Sequence, residues 1–349
     1  MGSVPPSPKP TVTRNDVARL AGVSTAVVSY VLNESKNVSP TTAAKVHDAV
    51  AMLGYRPNQA ARALRLGSPE MLGMIVPDTT DPFFAHLTHE VELAAEERGL
   101  ALLTANADGS PDRERRLMEK FVSRGIDGML LSSSLSRPDL RSMLLSDVPL
   151  VLLNQYEDTP GAHTVGVDLR EGARLGVGHL AEHGHRTVGV IVGETSDGTL
   201  DARHGGWSSA IAEFGLTAGP VVRQAFSSSG GYAAGRELLE TKTLPSALFV
   251  SSDRMAIGLL LALHQAGVRV PEDVALVSFN GVSDAAFSWP PLTTVAQPVP
   301  EMARAAVAAL VDRRAGVSAQ LFLPSLVRRA SCGCPWDAEA AMPDPANAG

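Results

Sequence analysis

Long apolar runs are missing from this 349-residue chain. Stretches such as 129–131 and 259–263 fall far short of the ~20 residues that span a bilayer, so no membrane span is expected. The opening segment MGSVPPSPKP has one basic residue and four prolines but no apolar core, so it does not read as a secretory signal and a cytoplasmic location is expected. Cysteine is scarce as well: Cys332 and Cys334, in a C-x-C, are too few for a disulfide framework and two ligands short of a closed zinc site, and are expected to be reduced and structural. Catalytic signatures are absent, with no H-E-x-x-H, phosphate loop or G-x-S-x-G elbow, and the glycines at 172, 176 and 178 do not form G-x-G-x-x-G. His179, His183 and His185 give H-x3-H-x-H, whose first pair shares a helix face as zinc ligands can, but 184–186 reads as a turn into a strand. Neither that run nor His86, His89 and Glu90 is read as a metal site. No nucleophile is paired with a base, so neither a cofactor nor enzymatic activity is expected.

What the chain does have is a globular balance, 44% hydrophobic and 19% charged, over about two domain lengths. Its net charge of −7 argues against a polyanionic partner only if the charge is evenly spread. Residues 1–68 instead hold eight bases against three acids, a net of +5, which leaves −12 for the remainder. A basic N-terminal module on an acidic body is the layout of a chain that touches a polyanion at one end. Within that module Thr13-Arg14-Asn15-Asp16 reads as a capping-box variant in which the Thr hydroxyl takes an orphan amide. A short helix then runs to Leu20, Gly22 makes a tight turn, and Ser24 caps a second helix over 25–32. A third helix starts at Ser39 with Pro40 in its first turn and ends at Gly54. Val17, Ala18, Ala21, Val23, Val27, Val28, Val31, Val46, Val50 and Leu53 can close a three-helix core around this helix-turn-helix. A break at 55–58 and a short Ala-rich helix over 59–66 lead to the linker Gly67-Ser68-Pro69.

From Met71 onward short apolar runs alternate with amphipathic segments. Strands are expected at 72–76, 100–105, 126–131, 149–153, 187–192, 221–226, 246–250 and 274–279. Helices are expected at 83–98, 112–124, 137–146, 170–183, 203–215, 229–241, 253–267 and about 299–314, before a strand-like 321–328. Such succession predicts parallel sheets flanked by helices, and a break near 154–168 suits two of them. Ligands in such α/β folds bind beyond the carboxyl ends of the strands.

The chain resembles the lactose-repressor (LacI/GalR) family of bacterial transcription regulators over residues 12–335. The runs that carry the resemblance are TVTRNDVARLAGVSTAVVSYVLNESKNVSPTTAAKVHDAVAMLGYRPNQAARALR at the front, TDPFF at 80–84, HLAEHGHRTVGVI at 179–191, SDRMAIG at 252–258, VPEDVALVSFNGVSDA from 270 and PPLTTVAQP from 290. The resemblance implies a disordered tail over 1–10, a DNA-binding domain over 11–56 and a hinge helix with linker over 57–69. A periplasmic-binding-protein-like core over 70–335 follows, split into 70–166 with 298–323 and 167–297 with 324–335, before a second disordered tail over 336–349. It further implies a homodimeric repressor that binds pseudo-palindromic double-stranded operator DNA in the bacterial cytoplasm under the control of a small molecule, with a sugar or sugar derivative the first class to consider. A solute-binding module without DNA function is the alternative. No leucine heptad occurs in the segment after Pro335, so a dimer is expected rather than a tetramer.

Residue by residue, the second helix would present Thr25, Ala26, Ser29 and Tyr30 to base edges, while Ser24, Ser29, Asn33 and Ser39 meet phosphates, with Thr13 at the start of the first helix. The same hydroxyls can simply cap helices. In the hinge Leu64 would be the wedge that kinks the duplex, beside Asn58, Ala61 and Arg62; an ordinary linker helix with a buried Leu is the alternative. In the core, Phe83 and Phe84 are aromatic candidates, one of them a core anchor, and Arg203 matches the family arginine that grips effector groups by its planar fork. Asp168, Phe226 and Asp253 fall at further pocket positions, where each can equally cap a helix or fill the core. Two departures stand out. Asn280 replaces the acid common in sugar-responsive relatives, and Asp197 stands where the purine-responsive relative has a basic residue, which argues against a purine corepressor.

Overall fold

The computed structural model describes residues 12–32, 36–55, 70–133, 148–155, 162–194, 201–312 and 318–335. Two compact units divide at residues 69 and 70.

In the first unit, α1 (Arg14–Ala21), α2 (Thr25–Leu32) and α3 (Pro40–Leu53) follow the cap signals of the sequence. The Asp16 carboxylate accepts from the Thr13 amide at 3.0 Å and from its hydroxyl at 2.7 Å. The hydroxyl is therefore a donor here, because an acid three residues on is a stronger acceptor than the hydroxyl itself. Gly22 closes α1 at φ 68°, where a Cβ would be strained. Ser24 Oγ accepts from Val27 N, and Ser39 Oγ from Thr42 N, each at 3.3 Å. Val17, Val28 and Val46 are fully buried at the centre, with Ala18, Ala21, Val31, Ala49 and Tyr55 around them. Tyr55, read from sequence as part of a chain break, is thus a core residue, while Val27 is only half-buried.

The second unit holds two six-stranded sheets. One has the order β11-β5-β4-β3-β1-β2, built from β1 (Met71–Val76), β2 (Ala101–Asn106), β3 (Gly128–Leu131), β4 (Leu150–Leu153), β5 (His163–Val167) and β11 (Ala319–Phe322), all parallel. The other has the order β12-β10-β9-β8-β6-β7, from β6 (Thr187–Gly193), β7 (Thr217–Gln224), β8 (Ala247–Val250), β9 (Ala275–Asn280), β10 (Thr293–Ala296) and β12 (Ser325–Val327). It is parallel except that β12 runs antiparallel to β10. Among the described residues seven helices cover the faces: α4 (Pro82–Glu96), α5 (Pro111–Ser123), α6 (Leu169–Glu182), α7 (Ala202–Glu213), α8 (Ser228–Glu240), α9 (Asp253–Gln265) and α10 (Val299–Val311). Burial on both faces explains why β3, β4 and β8 read as continuous apolar runs rather than alternating ones. Met118 and Phe121 of α5 pack one face of the first sheet, and Phe83, Leu87 and Val91 of α4 with Met302 and Ala306 of α10 pack the other.

Four parts of the chain depart from the sequence reading. β5 and β10 fall where no strand was placed, because each is short and carries Thr or His in place of an apolar run. The buried hydroxyl of Thr293 is satisfied by the Arg329 carbonyl at 2.9 Å, and that of Thr294 by Asp253 at 2.6 Å, so burial does not require an apolar sequence there. β7 begins at Thr217, earlier than expected, since Pro220 is tolerated on an edge strand. The strand-like 321–328 splits at Leu323-Pro324 into β11 and β12, one in each sheet. The helix expected over 137–146 and the hinge helix lie outside the described residues. The chain passes between the sheets three times, after β5, after β10 and after β11, and the Asp168 amide donates to the Phe322 carbonyl at 3.0 Å, tying two of these crossings together. Among the described residues no helix is long and apolar enough to cross a membrane.

Candidate functional site

Parallel strands deliver their following loops to one end of a sheet, so residues far apart in sequence converge there. Arg203 follows β6 at the start of α7, Phe226 follows β7, Asp253 follows β8, and Asn280 ends β9. Arg203 is the best-organised of them. Its Nε donates to Asp201 Oδ1 at 2.8 Å, its Nη2 to Asp201 Oδ2 at 2.7 Å, and its Nη1 to the Ser251 carbonyl at 2.7 Å. The guanidinium lies 5.1 Å from the ring centroids of both Phe226 and Phe279. Of five N–H donors three are used in the fork, which leaves two to meet a ligand. Asp201 also caps α7 by accepting from the Arg203 amide at 2.8 Å. Burial pushes the Asp201 carboxyl up, but the charge and hydrogen bonds of Arg203 outweigh it and hold the group below the ordinary carboxylate range. Gly193 at the end of β6 makes this packing possible, since a Cβ there would run into the Phe226 ring.

Asp253 is turned inward. It is wholly buried, and its carboxylate accepts from the hydroxyls of Ser278 and Thr294 and, at 2.8 Å, from the Val282 amide. Burial pushes its pKa up to about 6 against the opposing effect of these hydrogen bonds. Of the alternatives open for Asp253, core filling describes this geometry. Asp168 caps α6, accepting from the Glu171 amide at 2.9 Å, and remains half-buried. Phe83 is a core residue, and Phe84 packs edge-on against it at 5.2 Å with its ring half-buried.

Asn280 opens onto a cavity of about 220 Å³ lined also by Thr80, Asp81, Ser228, Arg254 and Asp284. Its Oδ1 accepts from Gln297 Nε2 at 3.0 Å, which leaves its own amide donors facing elsewhere. Across this cavity Arg254 of α9 reaches the loop after β1, donating to Asp78 at 2.9 Å and Asp81 at 3.3 Å. This bridge between the two subdomains was not anticipated from sequence. Nor were Asp201 and Phe279, although a D-x-R pattern before a helix is a legible clue.

On the first unit, Thr13, Ser24, Thr25, Ala26 and Ser39 are exposed, and Ser29 and Tyr30 are half-buried. Lys36 Nζ sits 4.8 Å over the Tyr30 ring, placing a cation beside the C-terminal half of α2. Asn33, Asn58, Ala61, Arg62, Leu64 and Asp197 lie outside the described residues. One group with metal-ligand chemistry occurs among the described residues: His179, His183, Cys332 and Cys334, with ligand atoms all within 4.8 Å of one another. His185, the third histidine of the sequence run, instead meets Ser246 Oγ at 3.2 Å.

A helix-turn-helix unit followed in the chain by two largely parallel sheets, with a cavity lined by residues that follow strands of both, defines the class of one-component, ligand-controlled DNA-binding regulators. Comparison with known proteins places the chain within that class. Residues 13–58 match the family "Bacterial regulatory proteins, lacI family", and residues 177–332 match "Periplasmic binding protein-like domain". The chain is 34% identical over 307 residues to the HTH-type transcriptional repressor PurR of Haemophilus influenzae (strain PittEE), covering 86% of this chain and 90% of that one. It is 33% identical over 305 residues to the ribose operon repressor of Escherichia coli (strain K12), covering 86% and 92%. Among solved structures, the Lac repressor dimer bound to operator and the anti-inducer ONPF superposes with a TM-score of 0.83 at 25% identity, covering 92% of this chain and 99% of that one. The complex of the transcriptional regulator CelR with cellobiose gives 0.68 at 32% identity, with the same coverage. The chain belongs to the lacI family of bacterial regulatory proteins and is a DNA-binding, allosteric transcriptional repressor with a small-molecule effector.

Proposed function

We propose that two copies of the chain bind a pseudo-palindromic operator through their helix-turn-helix units, and that a sugar or sugar derivative held beside Arg203 sets operator affinity. The observation that carries the sugar reading is the Arg203 fork, fixed by Asp201 and flanked by two aromatic rings, with two N–H donors left for hydroxyls. Phe226, Phe84, Asp168 and Asn280 would complete the pocket wall, and Asp253 would act from behind by fixing the 278–282 segment. The names of the ribose operon repressor and the CelR–cellobiose complex support this class. A ligand in the cleft biases the relative orientation of the two subdomains across three chain crossings and the Arg254 bridge; its differential affinity for the two arrangements is the coupling energy that reaches the DNA-binding unit. At the DNA, Thr25 and Ala26 would read base edges, Ser29 and Tyr30 would extend the contact, and Thr13, Ser24, Asn33 and Ser39 would meet phosphates. Asn58, Ala61, Arg62 and Leu64 would follow in the minor groove. The repressor names of its relatives support a regulator rather than an enzyme, acting in the cytoplasm and associated with the nucleoid when operator-bound.

A second reading, a purine effector, is the one that Asp197 argues against. A thermal-shift screen separates the two: mono- and disaccharides, sugar phosphates and nucleobases are tested at saturating concentration, where a ligand at 100 times its Kd stabilises its domain by about 2.7 kcal/mol. A sugar hit lost in Arg203→Ala, and shifting operator affinity in fluorescence anisotropy, supports the proposal. A hit confined to nucleobases overturns it in favour of the purine reading.

A further inference from the structure

The two sequence features set aside as separate, H-x3-H and C-x-C, meet in space. His179 and His183 lie one turn apart at the C-terminal end of α6, with ring centroids 4.7 Å apart. Cys332 and Cys334 arrive from the other end of the subdomain's sequence, the first closing a 3-10 turn (Ala330–Cys332) that follows β12 and the second two residues beyond it. Between them Gly333 takes φ 93°, a left-handed conformation that lets both thiols face the same side and that another residue would strain. His179 Nε2 lies 3.2 Å from Cys332 Sγ and 3.5 Å from Cys334 Sγ, and His183 Nε2 lies 3.3 Å from Cys334 Sγ.

We infer that these four side chains form a closed structural zinc site. The distances carry the inference. Zn–S bonds of about 2.3 Å and Zn–N bonds of about 2.0–2.1 Å in a tetrahedron put nitrogen and sulfur about 3.5 Å apart and two sulfurs about 3.8 Å apart. The three nitrogen–sulfur distances already lie within a few tenths of an ångström of the tetrahedral value, and the widest separation among the four ligand atoms, 4.8 Å at most, closes by about 1 Å through side-chain movement. The neighbours suit it too. His179 Nδ1 is buried without a hydrogen-bond partner, and Glu182 Oε2 stands 3.6 Å from it, where it can orient the imidazole as an outer carboxylate. Thr293 Oγ1 lies 3.0 Å from Cys332 Sγ while its own hydroxyl proton serves the Arg329 carbonyl. On binding, each cysteine releases its thiol proton to solvent and each histidine coordinates as neutral imidazole through Nε2, so two thiolates and one dication leave the half-buried site without net charge. Four protein ligands leave no open position, which makes the site a clasp rather than a reaction centre.

What it clasps is the end of the core. Ser331 Oγ donates to the Leu276 carbonyl at 2.8 Å and accepts from the Thr293 amide at 2.9 Å, so the 329–332 segment is already stitched to β9 and β10. The cation would add the only link from this segment to α6 made through coordination, just after the chain's last passage between subdomains.

The test uses the full-length protein expressed in zinc-supplemented medium and exchanged into chelated buffer without reductant carry-over. Metal analysis should find about one zinc per chain in the wild type and in His185→Ala, falling at least about tenfold in Cys334→Ser and His183→Ala. Cobalt(II) added to metal-stripped wild type should give the strong visible bands of a tetrahedral site and a thiolate charge-transfer band, a readout that needs no variant to fold. Zinc removal should lower the wild-type Tm by several degrees and leave that of Cys334→Ser unchanged. Substoichiometric zinc that is equal in wild type and ligand variants, or a cobalt spectrum with no thiolate band, overturns the assignment. So does full reactivity of both thiols in the presence of excess zinc.

Discussion

Asp201 and Arg203 can be separated by truncating each in turn and then both together. The side chains are 6% and 11% exposed, and the carboxylate accepts three hydrogen bonds from the arginine, two from the guanidinium and one from its amide. Asp201→Ala strands a guanidinium between two phenylalanine rings and also removes the α7 cap. Breaking a buried pair from one side costs about 3–5 kcal/mol, and a lost cap about 1 kcal/mol. Because the cleft admits water once the carboxylate is gone, the total should sit near the lower end, about 3–4 kcal/mol. Arg203→Ala leaves Asp201 its backbone partner and should cost less, about 2–3 kcal/mol. The double variant holds neither charge, so its cost should fall short of the sum of the two by about 2 kcal/mol or more. Urea unfolding at neutral pH, followed by circular dichroism, measures all three. The pH dependence adds a sign. Asp201's folded pKa is lowered, so the pair's contribution is present above the unfolded value of 3.8 and is lost as pH falls through the folded one. A coupling below about 0.5 kcal/mol would refute the argument that the fork is held by a desolvated pair.

Asp253 should show the opposite sign: its folded pKa of about 6 exceeds the unfolded 3.8, so its ionisation penalises the native state above pH 6 and is relieved below pH 4. The penalty is on the order of 2–3 kcal/mol, so Asp253→Asn should gain on the wild type by about that much between acid and neutral pH, and parallel stability–pH profiles would sink the idea. Gly193→Ala forces the Phe226 ring off the guanidinium and should weaken binding of the effector found in the screen by about tenfold, measured by calorimetry; unchanged affinity would show that the ring does not set the arginine. Arg254→Ala removes a partly exposed bridge worth no more than about 1 kcal/mol. It should leave Tm within about 2 °C of wild type while altering effector affinity, and a large loss of stability instead would assign the bridge a purely structural role.

The fold was legible wherever burial demanded apolar sequence. The runs at β1, β3, β4, β6, β8 and β9 sit in sheet interiors, where nothing but side-chain packing is required of them. It became illegible where buried strands carry hydroxyls, as in β10, since what makes Thr293 and Thr294 tolerable inside is supplied by Arg329 and Asp253, residues 36 and 41 positions away. β11 and β12 were fused for a related reason: the chain is extended throughout 319–327, and only the sheet partners on either side of Pro324 reveal that it changes subdomain.

The site shows the same limit more sharply. Arg203 could be found from its place after a strand, but the sequence does not say that Asp201 holds its fork or that Phe226 after β7 and Phe279 in β9 bracket it. Asp253 shows that position alone misleads. It follows β8 as a pocket residue would, yet its carboxylate is spent on Ser278, Thr294 and Val282, and so it shapes the loop that carries Asn280 rather than facing the cleft. The histidines and cysteines make the argument in reverse. Each pair was weighed by its own spacing and set aside as half a ligand set, and each judgement is sound for a segment taken alone. Linear spacing records only ligands that share a segment. The separation of 153 positions from His179 to Cys332 is closed by the sheet, which runs from α6 through β6, β8, β9 and β10 back to the turn at 330–332. A tetrahedral donor set assembled that way is a property of the fold before it is a property of the sequence.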